Sequence, residues 1–133
     1  MTLVLVLRPE PGAGETAARA RALGLDPVVA PLFRIEKVAW EAPAEESFDA
    51  LLLTSANAAR CAGAAPRKPC YAVGEATAEA ARSAGFDVVD AGHSDGAAAV
   101  ERMARAGIRR ALHLCGRDHI PLHHPALTLE RRI

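Results

Sequence analysis

The sequence predicts an α/β fold: a parallel sheet flanked by helices, flavodoxin-like in type. Three observations predict it. Leu3 to Leu7, Ala50 to Leu53 and Ala111 to Cys115 are short, nearly continuous apolar runs of strand length. Such runs suit strands covered on both faces, as parallel strands are. Ala- and Arg-rich stretches of helix length lie between strand-like runs, and several close on a glycine, the common helix stop. The two patterns also alternate, which calls for parallel strands joined by right-handed crossovers.

The elements follow in order. Leu3 to Leu7 is the first strand, broken by Arg8-Pro9-Glu10-Pro11-Gly12. A helix is predicted from Glu15 to Leu23, stopped by Gly24, and a short strand at Val28 to Ala30. Phe33 to Ile35 and Val38 to Trp40 read as extended chain, and Glu41 to Ser47 as a polar connection. The βα rhythm resumes at Ala50 to Leu53, with Ser55 placed to cap a helix reaching Cys61. After a loop at 63–69 come a strand at Cys70 to Val73, a helix at Ala76 to Ala84 stopped by Gly85, and a strand at Phe86 to Val89. Ser94-Asp95-Gly96 opens a helix to Ala106, and Ala111 to Cys115 is the last strand predicted. Ala22-Leu23-Gly24-Leu25-Asp26 resembles Ser83-Ala84-Gly85-Phe86-Asp87. This is either a generic helix-to-strand joint or the trace of two similar α/β halves.

Composition bounds the function. The 133 residues suffice for a compact domain with a core, and half are apolar. Sixteen basic residues balance sixteen acidic ones, so nothing in the total recruits nucleic acid or a membrane surface. A local pocket for a small anion remains open. No apolar run approaches the roughly 20 residues of a membrane helix, and the opening residues lack a basic leader and cleavage site. Cys61, Cys70 and Cys115 are odd in number and lack CxxC spacing, so they read as reduced, buried residues. The expected location is cytoplasmic.

In an open parallel sheet, ligands bind outside the carboxyl ends of the strands, where loops feed helix amino termini with unpaired amides. Four such loops begin at Arg8-Pro9, Thr54-Ser55-Ala56-Asn57, Gly74-Glu75-Ala76-Thr77 and Gly116-Arg117-Asp118. They offer amides, three hydroxyls and two guanidinium groups, equipment for carboxylates or phosphates. For any one Ser or Thr, helix capping is the commoner reason for its presence. There is no P-loop and no GxGxxG. His113, Cys115, His119, His123 and His124 lie close in sequence, but His113 and Cys115 share a strand face while the others straddle Pro121. No zinc spacing appears, so no metal is expected. Ser55 lacks a GxSxG elbow.

Several segments together resemble a known family. They are Leu-Val-Leu-Arg-Pro-Glu-Pro-Gly around residues 4–12, Ala22 to Ile35, Leu52-Leu53-Thr54-Ser55-Ala56-Asn57-Ala58, Tyr71-Ala72-Val73-Gly74-Glu75-Ala76-Thr77-Ala78 and Leu112-His113-Leu114-Cys115-Gly116-Arg117-Asp118. In order and spacing they are similar to uroporphyrinogen-III synthases, with the likeness fading after about Pro121. The resemblance implies two similar α/β domains, the second inserted into the first, with the active site in the cleft between them. It implies a lyase of tetrapyrrole biosynthesis that closes hydroxymethylbilane, a linear tetrapyrrole with eight carboxylates, inverting the last ring and losing water. No metal or organic cofactor is implied. Ser55 and Thr77 are implied at the cleft, and the substrate-binding candidates are Arg8, Thr54, Ser55, Ala56, Gly74, Thr77 and Gly116.

On the same resemblance, residues 1–36 are an incomplete βαβ piece of the first domain, and 37–133 are a nearly complete second domain. The family's C-terminal return, with a Tyr implicated in its chemistry, is not in these residues. Leu3, Leu5, Leu7 and Val28 are then short of cover, and self-association is expected. A rival reading is a non-catalytic module or inactive half-synthase that binds an anionic ligand or a partner protein.

Overall fold

The structure is a computed structural model and describes residues 1–63, 65–92 and 95–133. Ser94, expected to open a helix, lies outside the described residues. The chain forms two compact units, residues 1–37 and 38–133.

The first unit is a βαβ piece: strand β1 (Leu3–Val6), helix α1 (Gly12–Ala22) and strand β2 (Asp26–Val29), with β1 and β2 parallel. Ala13, Ala17 and Ala20 recur at helical spacing and form the buried stripe of α1. The helix starts three residues earlier than the sequence suggests. The Glu10 carboxylate accepts from the Gly14 N–H at 3.0 Å, satisfying an early amide without a Ser or Thr cap. The apolar run of β1 is not covered on both faces within this unit. Leu3 is 66% and Leu5 57% exposed, whereas Val4 and Val6, on the alternate face, are partly and fully buried.

The second unit is built on five parallel strands: β3 (Ala50–Leu53), β4 (Cys70–Ala72), β5 (Val88–Asp90), β6 (Arg110–Leu114) and β7 (Thr128–Arg132). Their spatial order is β5-β4-β3-β6-β7, all pairings parallel. Helices α2 (Ala56–Cys61) and α3 (Glu75–Ser83) cover one face, and α4 (Gly96–Arg105) the other. The chain steps one way along the sheet through α2 and α3, then returns through α4. Crossovers of one hand place helices of opposite travel on opposite faces.

Strand alternation builds both cores. Leu51, Leu53, Cys70, Leu112 and Leu114 face α2 and α3, packed with Phe48, Ala59, Ala81 and Phe86. Ala50, Leu52, Tyr71 and Ala111 face α4, meeting Ala99, Val100 and Met103. Leu51, Leu52, Leu53 and Leu112 are wholly buried, each worth about 1.5–3 kcal/mol of apolar transfer.

One reading of the sequence is corrected here. Ala111 to Cys115 is the last strand the sequence predicts, yet Thr128–Arg132 forms β7 beside β6. Its Thr-Leu-Glu-Arg-Arg lacks an apolar run because an edge strand needs only part of its side chains inward; Leu127 and Leu129 supply that contact. The resemblance between the Gly24 and Gly85 segments fits the generic helix-to-strand joint. α1, α3 and α4 all end alike: Leu25, Phe86 and Ile108 donate back to the carbonyls of Ala20, Ala81 and Met103 across Gly24, Gly85 and Gly107. Each glycine has positive φ, so the shared pattern is a helix stop found three times.

Candidate functional site

The strand order of the second unit reverses between β3 and β6. The chain leaves β3 toward β4 on one side, while β6 lies on the other. At such a switch point the loops diverge and leave a crevice at the carboxyl ends of the strands. Three of the four loops singled out in the sequence leave this edge: Thr54 to Asn57 from β3, Gly74 to Thr77 after β4, and Gly116 to Asp118 after β6.

Ser55 is extended (φ −149°), and its Oγ accepts from the Ala58 N–H at 3.1 Å. The hydroxyl thus caps α2, as the sequence suggests. Ala56 is the first residue of α2 and, like Thr54 and Ser55, is half-buried at the edge.

Gly74 is the cap residue of α3, with φ +86° and no side-chain hydrogen bond. This conformation suits glycine, and it turns the chain so that the Gly74 N–H reaches the Gly92 carbonyl at 2.7 Å. Thr77 therefore does not cap α3. Its side chain is 5% exposed, in the third position of the helix. At the start of α3 the amides of Glu75, Ala76 and Thr77 bond to no described residue, and Glu75 and Ala76 are exposed.

Gly116 and Arg117 are exposed, and their carbonyls both lie 3.2 Å from His119 Nδ1. Carbonyls only accept, so Nδ1 carries the proton.

One residue passed over in the sequence joins this edge. His113, 1% exposed, places Nε2 3.0 Å from Thr54 Oγ1 and so bridges β6 and β3 at the switch point. Its Nδ1 is buried without a partner among the described residues. Burial, aided by the charges of Arg131 and His119, pushes its pKa down from 6.5 to about 4, so the ring is neutral at pH 7. Cys115 nearby is pushed up by burial, and both groups stay uncharged. The available signal is the strand face that His113 shares with Cys115. Among the described residues no group of three or more His, Cys, Asp or Glu could hold a metal ion. The cysteines are all unbridged, with Cys70 and Cys115 buried and Cys61 half-buried.

Arg8, the fourth candidate, belongs to the first unit. Its guanidinium donates to Thr16 Oγ1 at 3.2 Å and lies over Gly12, where an added Cβ would come within 2.5 Å of it. The lack of a side chain at Gly12 makes that seat.

Among the described residues no helix is long and apolar enough to cross a membrane. Comparison with curated proteins finds no match. The family model described as Uroporphyrinogen-III synthase HemD matches residues 14–129. The match begins inside α1, beyond the opening Leu-Val-Leu-Arg-Pro of the sequence resemblance, and runs past Pro121 into β7. It covers most of both units, and the chain belongs to the uroporphyrinogen-III synthase family.

Proposed function

We propose that this chain serves as a uroporphyrinogen-III synthase, acting on hydroxymethylbilane to form uroporphyrinogen III with inversion of the last pyrrole ring. The observation that carries this reading is the family match over residues 14–129, which takes in all three loops at the switch point. In the reaction the C–O bond of the terminal hydroxymethyl group breaks. A C–C bond to the last ring forms, and the ring proton with the departing hydroxide makes one water. The bond that carries the inverted ring is broken and remade. Electron-rich pyrroles stabilise the cation left by hydroxide, so the protein's task is chiefly to hold the two ends in the geometry that favours the inverted closure.

The edge suits that task. Eight carboxylates call for many donors, and the switch point offers the α3 amides, the Thr54 and Ser55 hydroxyls and the backbone around Gly116. With Thr77 buried, the N–H groups of Glu75 and Ala76 rather than its hydroxyl are the groups we assign to a carboxylate. Ala56, Gly74 and Gly116 contribute backbone. We assign residues 1–36 to the family's first domain and 37–133 to its second. No metal or organic cofactor takes part in this scheme.

A second reading, anion binding without turnover, draws on the neutral state of His113 and Cys115, the shifted groups of this edge. One experiment separates the readings. The chain is incubated with freshly generated hydroxymethylbilane, and the products are oxidised and resolved by isomer; binding of uroporphyrin III is followed by fluorescence. Type III isomer above the protein-free background supports the synthase. Binding with only type I isomer selects the second reading. Neither binding nor type III product overturns both.

A further inference from the structure

The His113–Thr54 contact fixes more than a distance. A neutral imidazole carries one proton, on Nδ1 or on Nε2. With the proton on Nδ1, a buried N–H would lie without a partner, since Nδ1 has none among the described residues and no solvent contact. Orphaned buried N–H groups are rare and costly, more so than an unused acceptor. The proton therefore belongs on Nε2, which donates to Thr54 Oγ1 at 3.0 Å. A hydroxyl that accepts there keeps its own O–H for another acceptor. Thr54 makes no other hydrogen bond with a described residue, and it is half-buried on the outer side of His113, at the mouth of the edge.

We propose that His113 is a positioning residue for Thr54: its Nε2–H occupies the threonine oxygen and turns the Thr54 O–H outward at the β3–β6 switch point, as a donor for a carboxylate of the tetrapyrrole. The carboxylate clause rests on the function proposed above; the orientation of the pair does not. Thr77 is less suited to this role, since its side chain is buried; Ser55, whose Oγ accepts from the Ala58 N–H, keeps its own O–H in the same way and can donate beside Thr54. The register adds support. His113 stands opposite Leu52 on β3 and Arg131 on β7, so the imidazole is enclosed from both sides and cannot swing away from Thr54. Arg131, whose guanidinium also donates to the Leu122 carbonyl at 2.7 Å, and His119, whose ring meets the His113 ring edge-on at 6.4 Å between centroids, are the charged or titratable groups facing it. Both disfavour a cation at His113.

Two measurements test this. Long-range proton–nitrogen spectra of the intact chain read the His113 tautomer without any ligand. A protonated Nε2 and a bare Nδ1, unchanged from pH 5.5 to 8, are expected. A proton on Nδ1, or a ring cationic in that range, overturns the positioning role whatever the protein's function. Uroporphyrin III, a stable octacarboxylate, then probes the outward hydroxyl. Thr54→Val and His113→Leu should each weaken its binding by roughly tenfold or more, the scale of one hydrogen bond to a charged group. The double variant should be no worse than either. Gln places an amide N–H near the position of Nε2, so His113→Gln should restore most of the affinity, and Thr54→Ser should keep it. Thermal unfolding of Thr54→Val, which leaves the core packing in place, guards against misfolding as the cause. Additive losses, or no rescue by His113→Gln in a folded chain, overturn the proposal. A wild-type chain that binds no uroporphyrin III refutes the carboxylate clause together with the synthase reading.

Discussion

Asp49 and Arg110 clamp the amino-terminal ends of β3 and β6. The Asp49 carboxylate accepts from the Arg110 backbone N–H at 3.1 Å and from its guanidinium at 3.2 Å, and reaches the Arg109 N–H at 3.3 Å. The Asp49 N–H donates in turn to the Arg110 carbonyl at 2.8 Å. The two strands that meet at the switch point are thus tied at the end remote from the candidate site.

These bonds, led by the Arg110 N–H, hold the Asp49 pKa below its ordinary 3.8. A carboxylate lowered in the folded state contributes stability above its unfolded pKa, and that contribution disappears as the pH falls through the folded value. Asp49→Asn should therefore unfold at lower urea than wild type at pH 7. The gap should narrow only below about pH 4, in acid titrations of both proteins. A gap that is constant down to pH 2 would show that the charge is irrelevant.

His113 has the opposite chemistry and the same direction of pH dependence. The unfolded chain takes a proton near pH 6.5, while the folded ring refuses it until about 4. Stability should therefore fall as the pH drops from 6.5 toward 4, by about 2–3 kcal/mol over that window. Urea titrations at pH 7 and pH 4.5 measure it. In His113→Gln this component should vanish, leaving only the slope common to the other groups.

Ser55 and Gly74 open successive helices by different means, and their variants should differ accordingly. Ser55→Ala removes the bond to the Ala58 N–H and should cost about 1 kcal/mol in urea unfolding. Gly74→Ala forces a side chain into a positive-φ, extended-ψ conformation that only glycine adopts freely and should cost about 1–3 kcal/mol. Thr77→Val should change uroporphyrin III binding less than twofold, roughly the noise of such titrations; a tenfold loss would mean that the buried hydroxyl reaches the ligand.

Leu3, Leu5, Val28 and Val29 leave apolar side chains of β1 and β2 in water. Patches of this kind seek cover, and we expect concentration-dependent association. Sedimentation should show a rising mean mass, reversed by Leu3→Lys together with Leu5→Lys. A monomer at every accessible concentration would refute this.

The parts of the fold that were legible were those with local causes. Ala50 to Leu53 is apolar on both faces because both faces are buried, and Ser55 lies where an extended cap residue must lie. β7 was illegible because Glu130, Arg131 and Arg132 belong to an edge strand whose pairing depends on β6, not on its own apolarity. The start of α1 was missed because Glu10 does the work usually left to Ser or Thr. At the candidate site, the loops were visible in the sequence as Gly, Ser and Thr after strands. The Thr54–His113 bridge was not, since its partners come from different strands and no local pattern links them. Only the strand order brings them side by side.

The two sheets end differently, and that bears on how the chain behaves when concentrated. The large sheet closes on β5, three residues long with a shifted ladder, and on β7, which carries three charged residues in succession. Such borders discourage a further strand from docking. β1 has neither device. Its Leu-Val-Leu-Val offers a regular, uncharged backbone border beside a bare apolar face, the features from which cross-β fibrils nucleate. If the protein forms fibrils on storage, their ordered core should map to the first 30 or so residues, while the five-stranded unit remains folded and hangs from the fibril as an intact ornament.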